Sequence, residues 1–192
     1  MKKLFLLVVS VTSFVASQAQ FDYGVKGGFN ISNIGGADVD DNKARILFHV
    51  GMYGEANLAE GFRIRPEIMY SAQGATFEAP GDDVKYNLGY ISIPVLAKYN
   101  FSSGFGLQTG PQFAFLTSAK RKVDGDKDNI KDNLKGFDFG WVFGAAYQPS
   151  GSPFGVDARF NLGLSRLDED GDSKWFNRVF QIGVFYQLGT TN

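Results

Sequence analysis

Apolar and polar residues alternate along eight stretches of this chain, with the period of two that is typical of β-strands. The alternation is cleanest between Phe154 and Leu164, where apolar side chains occupy every second position. The polar positions between them hold Gly, Asp, Arg and Asn. The eight stretches are Phe21–Ile31, Arg45–Leu58, Phe62–Gln73, Tyr90–Phe101, Phe105–Phe115, Phe137–Gln148, Phe154–Leu164 and Phe176–Leu188.

The connections between these stretches alternate between long and short. The long connections are polar and rich in Asp, Asn, Lys and Gly: Asn33–Ala44, Thr76–Lys85, Thr117–Lys135 and Ser165–Lys174. The short ones are Ala59–Gly61, Ser102–Gly104 and Pro149–Pro153. The first two have three residues and end in Gly, which suits a type I turn closed by a residue at positive φ. The matching registers pair Leu58 with Phe62. They also pair Phe101 with Phe105.

The first nineteen residues are typical of a secretory signal peptide. Met1–Lys3 is cationic and Leu4–Ala16 is largely apolar, but a transmembrane helix needs about 20 apolar residues. Ala19 is a small residue at the position that a signal peptidase reads. We therefore expect cleavage between Ala19 and Gln20, which leaves residues 20–192 as one domain outside the cytoplasm.

Composition restricts the chemistry that this chain can carry. It has no Cys, which excludes disulfide scaffolds, thiolate zinc sites and cysteine nucleophiles. Its 19 Lys and Arg residues nearly balance its 20 Asp and Glu residues, so that its charge indicates no nucleic-acid partner. Its 24 Gly and 19 Phe residues, with only 6 Pro, indicate a β-protein with many tight turns.

Three features favour a closed barrel whose apolar face points outward. Glycines are frequent on the polar face, where the narrow interior of an eight-stranded barrel needs small residues. The apolar face is bulky, with four aromatic residues between Phe137 and Phe143. Aromatic residues also stand near strand ends, as in the girdles of membrane barrels; these are Phe101, Phe105, Tyr147, Phe154 and Tyr186.

The pattern therefore predicts an all-β fold, an eight-stranded antiparallel up-and-down transmembrane β-barrel of the outer membrane. Its short turns would be periplasmic and its four long loops extracellular. The alternative is a secreted, lipocalin-like calyx, in which the apolar face would line a cavity for a hydrophobic ligand.

The polar face predicts a charged lumen. Extending the first hairpin register places Glu55 opposite Arg65 and Tyr53 opposite Glu67. Buried charges must be paired, because an unpaired one costs several kcal/mol. We expect an ionic network that plugs the barrel, formed by Lys26, Glu55, Arg63, Arg65, Glu67, Lys98, Asp138, Asp157 and Arg159. The alternative is a narrow ion path through the same residues.

Catalytic and metal chemistry have weak support in this sequence. The single histidine, His49, lies on the polar face, and the pattern gives it no Ser and Asp partners. Asp124–Asn129 resembles the start of an EF-hand loop, but Asn129 replaces the glycine of position six and Lys135 the glutamate of position twelve. A second acidic cluster is Asp168–Asp172. We predict no enzymatic activity, no cofactor, no catalytic residue and no metal site, with the acidic clusters as solvated loop charges.

Seven stretches, in this order, resemble the PorT-like outer-membrane β-barrel proteins of Bacteroidota, often called porin family proteins. They are Gly24–Ser32, Arg63–Ala75, Tyr90–Phe101, Gly110–Leu116, Phe137–Tyr147, Arg159–Ser165 and Asn177–Leu188. The resemblance implies an eight-stranded barrel in the outer membrane and implies no activity. The partners it implies are outer-membrane lipid, the barrel-assembly machinery, and a surface or secretion-system partner that binds the loops.

Overall fold

The computed structural model describes residues 21–36, 42–77, 83–124, 126–167 and 175–191. The predicted signal peptide and its cleavage site between Ala19 and Gln20 lie outside these residues. The described chain forms ten strands and a short 3-10 helix, η1 (Lys131–Asn133). The strands are β1 (Phe21–Gly35), β2 (Asn42–Ala59), β3 (Phe62–Gln73), β4 (Ala75–Phe77), β5 (Val84–Asn100), β6 (Phe105–Val123), β7 (Asp126–Asn129), β8 (Phe137–Tyr147), β9 (Phe154–Gly163) and β10 (Phe176–Thr191).

Eight of the described strands close into a ring in which each strand is antiparallel to both neighbours. Their order around the ring is β1, β2, β3, β5, β6, β8, β9, β10. The seam between β1 and β10 runs from the Phe21–Thr191 pair to the Gly35–Phe176 pair. The strand β4 follows β3 after Gly74, and β7 forms a hairpin with the end of β6. The predicted eight-stranded up-and-down topology is confirmed.

The predicted long connection Thr117–Lys135 is wrong in its first half. Strand β6 continues to Val123, and β7 folds back on it. The sequence pattern is broken at Thr117 because this residue is an extra one in the pairing with β5: Tyr90 pairs with Leu116, but Gly89 pairs with Ser118. Such a β-bulge changes the phase of the alternation, which hides the continuing strand.

The short turns lie at the end of the barrel where β1 begins and β10 ends. Gly61 and Gly104 have φ of 73° and 84°, as the turn prediction requires. The predicted pairing of Phe101 with Phe105 is confirmed by a backbone hydrogen bond, in which the Phe101 amide donates to the Phe105 carbonyl at 2.7 Å. The predicted pairing of Leu58 with Phe62 is wrong.

The register around Leu58 explains that error. Asn57 pairs with Arg63 as predicted, but the next paired residues are Ala59 and Phe62. Leu58 is therefore the extra residue of a bulge. The register of the rest of the hairpin is unchanged, as the pairing of Tyr53 with Glu67 shows.

The two faces of the ring have opposite chemistry. Large apolar side chains such as Phe29, Ile46 and Val50 lie on the outside, with 65%, 73% and 53% of their surface exposed. Charged side chains such as Arg65 and Arg159 lie inside and are buried. This arrangement is the reverse of the one that a lipocalin-like calyx requires, because the Phe-rich face is outside and the polar face lines the interior.

An apolar cap lies at the end of the interior opposite the short turns. Ile34, Ala75 and Leu167 are buried there, and Phe77, Leu134 and Trp175 pack against them. The rings of Phe77 and Trp175 stack with centroids 5.7 Å apart. The hydrophobic effect holds this cap together over the loop end of the lumen. Among the described residues, no helix has the length and apolarity needed to span a membrane.

Candidate functional site

The centre of the barrel interior holds a carboxylate surrounded by three cations. Glu67 projects inward from β3, and Arg159 from β9 donates to its Oε2 through Nη1 and Nη2, both at 3.0 Å. The Nε atom of Arg65 lies 3.3 Å from Glu67 Oε1, and Lys26 Nζ lies 3.7 Å from Oε2. All four side chains are fully buried. The arrangement joins opposite walls of the ring.

A second carboxylate, Asp157 from β9, connects two of the same cations. Lys26 Nζ donates to Asp157 Oδ2 at 2.5 Å, and Arg159 Nη2 donates to the same oxygen at 3.2 Å. Lys26 and Arg159 are thus each shared between Glu67 and Asp157. A network of shared charges fixes the side chains more firmly than isolated pairs do.

The third carboxylate, Glu55, organises the short-turn end of the lumen. Lys98 Nζ donates to both of its oxygens, at 3.2 and 3.1 Å. Arg63 donates to Glu55 Oε1 at 2.7 Å and to Asp22 Oδ2 at 3.2 Å. Arg65 Nη1 lies 3.7 Å from Glu55 Oε2, so that this group is continuous with the central one.

Arg65 is also held between aromatic rings, which the sequence analysis did not predict. Its guanidinium carbon lies 3.8 Å from the ring centroid of Tyr53 and 4.7 Å from that of Phe185. Such cation–π contacts stabilise a buried cation. Phe185 was missed because most apolar residues of β10 face outward, although its odd number places it on the same face as Gln181 and Gly183.

Eight of the nine predicted lumen charges meet in one network, and Asp138 does not. Its Oδ2 accepts a hydrogen bond from Asn177 Nδ2 at 2.8 Å, and the same amide also donates to Tyr90 Oη at 3.3 Å. Asp138 therefore belongs to a separate polar cluster nearer the loop end. Its inward direction was predictable, but its partners lie on other strands whose relative heights the sequence does not reveal.

His49 sits in a network of amides. Its Nδ1 lies 2.8 Å from Asn30 Oδ1, and Gln181 Nε2 donates to the same oxygen at 2.8 Å. Asn30 Nδ2 donates in turn to Ser71 Oγ at 3.0 Å. An amide oxygen orients the imidazole, but the hydroxyl in this network is bonded to Asn30 and not to His49. Among the residues that the structure describes, no hydroxyl is hydrogen-bonded to His49.

Within the predicted EF-hand-like stretch, Asp126–Asn129 forms β7, which pairs with the end of β6. Asp128 Oδ2 accepts a hydrogen bond from Arg121 Nη2 at 3.0 Å, so that one of its carboxylates is paired with a cation. The part of the chain that the structure describes contains no group of three or more potential metal ligands. The second acidic stretch, Asp168–Asp172, lies outside the described residues.

A closed antiparallel ring with an apolar exterior and a charged interior defines an integral β-barrel membrane protein. The chain belongs to the outer membrane protein beta-barrel domain family, whose sequence profile matches residues 16–169. It is thus an outer-membrane barrel protein. The comparison with curated proteins gave no match.

Two solved outer-membrane barrels are similar in structure. One is Ail, the attachment invasion locus protein of Yersinia pestis, with a TM-score of 0.52 and 15% identity over 87% of this chain and 98% of that chain. The other is Neisserial surface protein A, with a TM-score of 0.51 and 13% identity over 88% of this chain and 97% of that chain. At these identities the likeness supports the fold.

Proposed function

We propose that this protein is a non-enzymatic outer-membrane barrel with a plugged lumen, which acts at the cell surface through its loop end. The observation that carries the proposal is the buried ion network, in which cations and carboxylates from β1, β2, β3, β5 and β9 meet across the interior. A scaffold with a filled interior leaves its loops as the surface for partners.

The energetics of the network support a closed lumen. The interior of an eight-stranded barrel is about as wide as the side chains that fill it. An ion path would require Arg159 or Lys26 to leave its carboxylates. Separating a buried ion pair costs about 3–5 kcal/mol, so that thermal opening would be rare.

The surroundings of His49 support the absence of hydrolytic activity. A serine or threonine hydrolase needs a nucleophile in hydrogen-bond contact with its base. His49 instead contacts the amide of Asn30, deep among interior side chains. The barrel is therefore proposed to serve as a scaffold.

Planar-bilayer recording tests the plugged lumen. We expect purified protein to give no steady current, with a known porin as the positive control. The double variant Glu67→Ala/Arg159→Ala removes one charge of each sign and the bulk of both side chains, and should conduct if the network is the plug. Steady open-channel current from the unaltered protein would contradict the proposal and favour the narrow pore.

The proposed export signal and the proposed PorT-like family are each supported by a sequence observation. The signal-peptide composition of Met1–Ala19 supports export and cleavage before Gln20, and the seven ordered motifs support a PorT-like protein of Bacteroidota. A surface or secretion-system partner would then bind the loops, and the barrel-assembly machinery would insert the chain. The intact mass of protein from the outer-membrane fraction tests the first step: an amino terminus other than Gln20 contradicts the predicted cleavage.

A further inference from the structure

A concave group of cations lies at the loop end, away from the lumen network. We call it the cationic groove. It encloses about 460 Å³ and is lined by Arg45, Lys85, Asn87, Lys120, Lys122 and Lys127. Five of these six residues carry a positive charge, and they come from the loop ends of β2, β5, β6 and β7.

Strand register brings the lysines together. Lys122 on β6 pairs directly with Lys85 on β5 and with Lys127 on β7. Side chains at directly paired positions lie about 5 Å apart at Cβ, and like charges there are destabilising. Lys120 is two residues before Lys122 and therefore points to the same side of the sheet. The fold thus places four lysines on one side of three adjacent strands.

The described residues give these lysines no internal counterion. None of the four forms an ion pair with another described side chain, and the described lining of the groove contains no carboxylate. The neighbouring Arg121, by contrast, pairs with Asp128 at 3.0 Å. Arg45 is fixed in place, since its Nη1 donates to Asn87 Oδ1 at 2.8 Å and to the Tyr86 carbonyl at 2.9 Å. An anion from outside the chain would relieve the repulsion.

The groove lies beyond the outward apolar surface, towards the loop end. Ile46, with 73% of its surface exposed, directly follows Arg45 on β2. On β6 the last large outward apolar residue is Phe115, five positions before Lys120, which corresponds to roughly 17 Å along a strand. The polar layer of a membrane begins directly above its hydrocarbon core. The groove therefore lies outside the hydrocarbon core, on the loop side of the barrel.

We propose that the cationic groove binds the phosphate groups on the saccharide headgroup of the outer-leaflet glycolipid. The inference rests on the proposed function in one respect, namely that the loop end faces outward. Phosphate accepts several charge-assisted hydrogen bonds from Lys and Arg. Basic clusters at the membrane surface are the usual means of holding phosphorylated headgroups. The bound lipid would fix the height of the barrel and supply an anion to lysines that form no ion pair with a described side chain.

Calorimetric titration of the folded barrel in uncharged detergent tests the proposal, with diphosphorylated lipid A as the probe. The test variant is Lys85→Gln/Lys122→Gln. The matched control is Lys131→Gln/Lys135→Gln, which removes the same charge from the same end outside the groove. We expect the test variant to bind at least about tenfold more weakly, and the control to stay within about twofold of the unaltered protein.

Two further probes identify the source of the anion. Dephosphorylated lipid A should bind the unaltered protein as weakly as lipid A binds the test variant. Equal weakening by both variants, or binding that does not depend on phosphate, would overturn the proposal. So would tighter binding of a soluble sulfated polysaccharide, which would make the groove a receptor for external polymers.

The failure of this inference can be distinguished from failure of the proposed function. Each variant is first checked for the shift between boiled and unboiled samples on a gel, which reports the closed barrel. Calorimetry then tests the groove alone. The side of the membrane that the loop end occupies is measured separately, by labelling single cysteines at the two ends of the barrel.

Discussion

Glu67 shows how one buried residue can organise the interior of a barrel. Its carboxylate contacts Arg159, Arg65 and Lys26, which come from three different strands. Removing one partner of a buried pair leaves the other charge without compensation, which costs more than the pair itself contributes. The stability of the barrel should therefore depend strongly on this single side chain.

We expect Glu67→Gln to lower the free energy of unfolding by about 3 kcal/mol or more, because the three buried cations around this residue would lose the carboxylate that they share. The measurement is a urea titration of the protein folded in lipid vesicles, in which the gel shift between boiled and unboiled samples reports the folded fraction.

Asp138→Asn is the matched control, since it also replaces a buried carboxylate by its amide. Asp138 is hydrogen-bonded to Asn177 and forms no ion pair with a described residue, so that the control should cost within about 1 kcal/mol. Equal effects of the two substitutions would show that the network contributes no specific stability.

At the scale of strands, the alternation of apolar and polar residues predicts the topology well. It does not predict where a bulge shifts this alternation by one residue. The period of two and the three-residue turns were sufficient for the eight strands of the ring, their direction and, except at the Leu58 bulge, the register of the first hairpin. The bulge at Thr117 shifts the phase by one residue, and the chain after it therefore looked irregular. The hydroxyl of Thr117 donates a hydrogen bond to the Gly89 carbonyl at 2.8 Å across the bulge, but this contact with β5 is not visible in the residue types at 116–118.

In the interior, too, only the features that follow from the alternation along each strand could be predicted. Lys26, Glu55 and Asp157 could be assigned to the inside from their position in each strand. Their partners could not, since contacts across a barrel depend on the stagger of strands far apart in sequence. Phe185 was missed for another reason: an aromatic residue inside a charged lumen is useful because it packs on Arg65, which alternation alone does not reveal.

The turn between β5 and β6 depends on the conformation of one glycine. Gly104 has φ of 84°, and a side chain there would also meet the Gln148 carbonyl. We expect Gly104→Ala to lower the free energy of unfolding by about 1–2 kcal/mol, the cost of a left-handed conformation. The same urea titration measures the change.

The control for this turn is Gly136→Ala. Gly136 lies in open space, with no atom within 4 Å of an added Cβ, so its substitution should leave the unfolding midpoint unchanged. If Gly104→Ala also left the midpoint unchanged, the turn geometry would not be a determinant of barrel stability.

For the molecule as a whole, the proposed surface role depends on its orientation in the membrane, that is, on whether the loop end faces the cell exterior. The chain has no Cys, so that single cysteines can report accessibility without background. Asp132 lies exposed at the loop end and Ser150 lies exposed in a short turn at the other end. We expect a membrane-impermeant thiol reagent to label Asp132→Cys on intact cells. It should label Ser150→Cys only after the outer membrane has been permeabilised.

The reverse labelling pattern would mean that the short turns face outward, which would contradict the proposed surface role. Labelling of both cysteines on intact cells would mean that the reagent had crossed the membrane. The same result obtained with a reagent too large for any porin would instead exclude a transmembrane orientation.

The seam between β1 and β10 has a consequence for how the barrel is made. Residues 21 and 191 become neighbours only at closure, so that the two strands separated by the greatest length of chain must find each other. Until then, the first and last strands are open edges, each able to pair with any other exposed strand. The open edge of β1 therefore stays available for pairing until β10 reaches it, so that the time before closure is the period in which the barrel is most prone to incorrect pairing.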